Sequence, residues 1–163
     1  YIPPEEGNRC RTAEVLAAAE VLLELLAGKA SPLYARLMEA GLINAGFGAD
    51  YFEGPGYAVW MFAGESKDPD AVRAAIEEEL ARVRRDGLDA GAFEAARRAL
   101  YGRLVSALND VENCGDFLVS DYFYGRKPFG LIDAAARLDL QSVYALLHGS
   151  LRAEASALSV VHG

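Results

Sequence analysis

Histidine, cysteine and carboxylate side chains hold metals and move protons, and in this chain they are few and scattered. The two histidines, His148 and His162, sit in neither an H-x-x-E-H nor an H-E-x-x-H frame. His148 falls at the end of a predicted helix, where a protonated imidazole suits the helix dipole, and His162 falls at the chain's end, so both read as structural. Cys10 and Cys114 belong to no C-x-x-C spacing and read as reduced, partly buried thiols rather than a zinc knuckle or redox pair. Glu77, Glu78 and Glu79, followed by Arg82, Arg84 and Arg85, read as a solvated helix face laced by ion pairs. G-x-S-x-G and G-x-x-x-x-G-K-[ST] frames are both absent. The Gly-rich "GFGADYFEGPG" lies between strands with no helix after it to bind an anion, and reads as a turn. No catalytic, cofactor-binding or metal-binding residue is therefore assigned in this chain.

The 163 residues, 52% apolar and 25% charged, suit one domain over 1–163 with its own core. A net charge of −8 repels phosphate backbones, which argues against nucleic acid. The most apolar stretch, Val15 to Ala27, is interrupted by Glu20 and Glu24 and is too short for a bilayer, which argues against a membrane span. "YIPPEEGNRC" lacks the features of a secretory signal, so a cytoplasmic location is expected, and an opening on Tyr1 rather than Met is the pattern of a fragment.

The positioning elements follow from caps and periodicity. Thr12 and Gly28 bound a helix with Val15, Leu16, Ala19, Leu22, Leu23 and Leu26 on one stripe. Ser31 and Pro32 start a second helix in a new direction, with Leu33, Tyr34, Leu37 and Met38 as its apolar face and Gly41 ending it. "INAGFGADYF" and "YAVWMFAGES" around "EGPG" predict an antiparallel hairpin, with a bulge at Gly46 or Gly48 and a second strand either covered on both faces or at a helix-packed sheet centre. Asp68-Pro69 starts a helix with Val72, Ile76, Leu80 and Val83 inward. Asp89 starts a longer one with Phe93, Ala96, Leu100, Leu104 and Leu108 inward. "VENCGDFLVSDYFYG" predicts a helix ending near Gly125, "KPFGLIDAAARL" a short one, and Asp139 caps a last one. "ASALSVVHG" predicts a final strand. Adjacent strands with helices segregated after them predict an α+β fold, an antiparallel sheet with helices packed mainly on one face. Tyr51, Phe52, Trp60 and Phe62 could line a ligand pocket, but their spacing fits core strands better.

Four stretches carry a resemblance. "LLELLAGKASPLYARLMEAGLI", "GYAVWMFAGESKDPDAVRAAIEEELARVRRDGLDAGAFEAARRAL", "DLQSVYALL" and "SALSVVHG" resemble, in order and spacing, the C-terminal structural domain of the pitrilysin/insulinase (processing-peptidase-like) family of zinc peptidases. The resemblance implies a LuxS/processing-peptidase-like metalloprotease fold and a non-catalytic domain forming half of a chamber around peptide substrate. It implies zinc in an N-terminal catalytic domain of the parent protein, on an H-x-x-E-H helix, and no cofactor in this fragment. The implied partners are that domain and a homologous partner subunit. An inactive scaffold subunit of the same fold is the alternative. Related partner subunits supply an Arg and a Tyr from the central strand, but here Tyr57 to Met61 is followed by no Arg before Arg73 and no Tyr before Tyr101, so that pair is not carried over.

Overall fold

A helix that is apolar nearly all round must be covered nearly all round, and that requirement organises the molecule. The computed structural model describes residues 10–152 and 155–162. Its first helix, α1 (Ala13–Ala27), buries nine residues, among them Ala17, Val21, Leu22 and Leu26. The single stripe read from sequence is thus one side of a central helix. Small alanines on its remaining faces let neighbours approach from other directions.

Thr12 caps α1 by accepting the Val15 N–H, and the chain leaves at Gly28. Ser31 accepts the Tyr34 N–H with Pro32 in the first turn, starting α2 (Pro32–Glu39). Strands β1 (Gly48–Gly54) and β2 (Tyr57–Ala63) follow. They pair antiparallel from Gly48 opposite Ala63 to Gly54 opposite Tyr57. The register is regular, with no bulge at Gly48; Gly46 instead sits in a turn, its N–H donated to the Asn44 side chain. Pro55 and Gly56 join the strands, and φ +83° at Gly56 is the left-handed value that a Pro-Gly type II turn needs at its second central residue.

The hairpin lies on α1. Tyr51 and Ala58 cluster with Ala19 and Leu23, and Trp60, Phe62 and Leu16 pack against them. The opposite side of the hairpin is open: Phe52, Tyr57 and Met61 are exposed. This corrects the expectation that β2 is covered on both faces. Strand residues alternate sides, and the apolar residues of β2 occupy both sides while only one meets a helix.

Helices α3 (Pro69–Asp86), α4 (Ala90–Ala107), α5 (Val111–Tyr124), α6 (Gly130–Arg137) and α7 (Leu140–Ser150) complete the described elements. Their acidic caps Asp68, Asp89 and Asp139 each accept a first-turn N–H. In α3, Val72 and Val83 are buried, and Ile76 and Leu80 pack partly buried against the core. In α4, Phe93, Ala96, Leu100 and Leu104 are buried, but Leu108 is exposed as its C-cap. One large core joins α1 to α2, α3, α4, α6 and α7. Sheet, central helix and outer helices thus form an α+β arrangement with the helices on one face of a two-stranded antiparallel sheet. The final strand read at "ASALSVVHG" is not formed: residues 157–162 are described without strand pairing and are exposed, and Ala155 is in a short turn. Gly163 lies outside the described residues.

The turn between α3 and α4 yields a direct test. Gly87 has φ +90°, and a Cβ there would come within 2.7 Å of the Tyr144 hydroxyl. That hydroxyl accepts the Leu88 N–H at 2.6 Å. Gly87→Ala is expected to cost about 1–3 kcal/mol through backbone strain, read by urea unfolding. A cost near zero would show that this turn relaxes freely.

Candidate functional site

His148 lies in the last turn of α7, its ring near-parallel to that of Tyr144 with centroids 6.4 Å apart. His162 is exposed near the chain's end. Cys10 and Cys114 are free and partly buried, and the Cys114 thiol faces the Leu108 carbonyl at 3.4 Å. Among the described residues no three His, Cys, Asp or Glu side chains are gathered where they could hold a metal ion. A protein zinc site takes three or four such ligands, so the described part of this chain does not fit zinc.

The glutamate run divides. Glu77 pairs with Arg73 at the surface, as a solvated face should. Glu79, by contrast, is 1% exposed, which corrects the reading of all three as solvated. Its carboxylate accepts from Arg36 of α2 at 2.9 Å and from Arg82 one turn along α3 at 2.6 Å. Burial pushes the Glu79 pKa up, but the hydrogen bonds from Arg82 and Arg36 outweigh burial and hold it below the ordinary 4.5. A depressed carboxylate pKa stabilises the fold above the unfolded-state value, and that stability is lost as pH falls through the folded value. Glu79→Gln is therefore expected to lose about 1–2 kcal/mol at pH 7, the half-exposed arginines being screened by water. The gap to the unsubstituted protein should close as urea melts are taken below pH 4.5. A gap independent of pH would mean that the charge contributes nothing.

The second buried charge was not legible from sequence. Glu53, inward-facing at the end of β1, accepts the backbone N–H of Arg11 at 3.2 Å and is ion-paired to Arg126, which follows the left-handed Gly125 that ends α5. The two side chains are 7% and 6% exposed. Arg126 also donates to the Arg11 carbonyl at 2.9 Å, and its guanidinium lies 4.9 Å from the centre of the Tyr124 ring. Burial pulls the Arg126 pKa down, but an arginine remains charged. Nearby, the buried Asp121 accepts the N–H of Phe129 at 2.7 Å, which holds that residue at φ +57° ahead of α6. A lone acid on the inward side of a strand and a lone Arg after a helix-ending Gly were the available signals.

Above the pair opens a cleft of ≈ 630 Å³, lined by Cys10, Thr12, Glu14, Tyr124, Lys127 and Arg137 among others. Asp133 draws both Lys127, at 3.4 Å, and Arg137, at 3.7 Å. The arrangement ties the start of α1 to the end of β1 and to the α5–α6 junction. The Gly-rich stretch forms part of β1 and the hairpin turn, and the candidate pocket aromatics Tyr51 and Trp60 instead pack edge to face with centroids 4.8 Å apart.

Comparison with known proteins agrees with this geometry. The family model described as Peptidase M16 inactive domain matches residues 8–100. An uncharacterized zinc protease, YmfH, of Bacillus subtilis (strain 168) is 26% identical over 134 residues, covering 82% of this chain and 31% of that protein. An M16-like peptidase from Alicyclobacillus acidocaldarius has a similar structure, with TM-score 0.79 and 27% identity over 86% of this chain and 34% of that one. Pitrilysin shares the fold at TM-score 0.64 and 14% identity, over 92% of this chain and 16% of its own. The chain thus spans about a third of the length of the first two. With more than half of its residues matched by one family model, the chain belongs to the Peptidase M16 inactive domain family.

Proposed function

We propose that residues 1–163 are a single non-catalytic domain of a longer zinc metallopeptidase, one wall of a chamber around peptide substrate, whose zinc is held by an N-terminal domain of the same polypeptide. The observation that carries this reading is the match of residues 8–100 to the inactive domain of M16 peptidases, in a chain that covers about a third of the zinc protease that it resembles. The fold supports it: each buried charge described above is used in holding elements together. Among the described residues no helix is long and apolar enough to cross a membrane. The protein therefore acts on peptides through its neighbouring catalytic domain, with which this domain pairs. A homologous partner subunit and a cytoplasmic location complete the proposal.

The test is the coding sequence before Tyr1 and the activity of the complete polypeptide. An H-x-x-E-H frame and cleavage of a mixed peptide library are expected. A complete polypeptide that cleaves nothing and lacks the frame would identify it as a scaffold instead.

A further inference from the structure

Helix α5 is built back to front. Asp121 is its buried residue, and Phe117 packs partly buried against the core. On the side turned away, Val111, Gly115, Leu118 and Tyr122 succeed one another at intervals of about one helical turn. Val111 is 87% exposed, Leu118 44% and Tyr122 78%, with Val119 beside them at 56%. An amphipathic helix ordinarily turns such a stripe to the core; here it faces outward. Gly115 places a notch in the middle of the stripe, where an added Cβ would meet nothing within 4 Å.

The charges around the stripe say what fits it. Glu112 and Asp116 run along one border, and α5 contains no Lys or Arg. A second copy would bring the same acidic border, on a chain of net charge −8, against itself. We propose that the α5 stripe is the seat of another domain of the same polypeptide, whose contacting surface is an apolar ridge bordered by Lys or Arg that enters the notch at Gly115. This rests on the reading of the chain as one domain of a longer peptidase. The relatives supply the room for such a domain, since two thirds of their length lies beyond the part matched here.

The experiment uses the complete polypeptide carrying either Leu118→Cys, on the stripe, or Ser120→Cys, on the exposed opposite side, with maleimide labelling located by peptide mapping. The expected result is labelling at Leu118→Cys about tenfold slower than at Ser120→Cys, as for a site reached only through local opening, and unchanged on dilution. Adding Glu112→Lys and Asp116→Lys should bring the Leu118→Cys rate up toward that of Ser120→Cys. Equal rates without those charge reversals, or protection that they leave intact, would overturn the proposal. Protection that disappears on dilution would also overturn it, by assigning the stripe to a second copy. Zinc content and peptide cleavage of the same preparation report separately on the function. Equal rates in an active zinc protein remove this inference alone, and a protected stripe in an inert, metal-free protein removes the functional reading alone.

Discussion

Arg126→Ala is expected to lower the unfolding free energy by about 3–5 kcal/mol, because it leaves the Glu53 carboxylate buried without its cation. Both side chains are more than nine-tenths buried, so water cannot readily replace the lost partner. The same change removes a donor to the Arg11 carbonyl and the cation above Tyr124, loosening the start of α1 from the α5–α6 junction. Removing both charges together, as Arg126→Met with Glu53→Leu, should cost less than Arg126→Ala alone, since an apolar pair of similar volume leaves no stranded charge. Urea unfolding of the single and double variants checks this. A double variant less stable than the sum of the singles would mean that the pair acts by shape rather than charge.

Trp60→Ala should cost about 3 kcal/mol, the lower end of the range for truncating a large aromatic in a core. Trp60 packs against both clusters of buried residues and edge to face with Tyr51 opposite it. It is partly exposed, which sets the value below that of a strand covered on both faces. The indole N–H has no hydrogen-bond partner among the described residues, so the loss is one of packing, and Trp60→Phe should recover most of it. A cost below about 1 kcal/mol would show that the hairpin is not held to α1 through this ring.

Local chemistry was the legible part of the fold. Thr12, Ser31, Asp68, Asp89 and Asp139 each cap the helix that sequence assigned to them, because a cap depends on residues three positions away. The hairpin was legible for the same reason, its turn lying in Pro55-Gly56. What depended on distant neighbours was not. Glu79 looks like its neighbours Glu77 and Glu78 until α2 brings Arg36 to it. Glu53 and Arg126 are 73 positions apart, and nothing local joins them. The apolar, β-branched end of the chain has the composition of a strand, but a strand needs an edge to pair with, and residues 157–162 are described without one. The family was readable from the order of several ordinary segments, whereas the ion pairs that hold those segments together were not.

On the function proposed above, these residues support a reactive metal centre held elsewhere in the polypeptide. Zinc analysis of the complete protein tests it with His148→Ala and His162→Ala combined, which removes both imidazoles of this chain. One equivalent of zinc and full peptide cleavage are expected to survive the double substitution and to be lost when a histidine of an H-x-x-E-H frame outside this chain is replaced. Zinc lost with His148 and His162 would contradict that function.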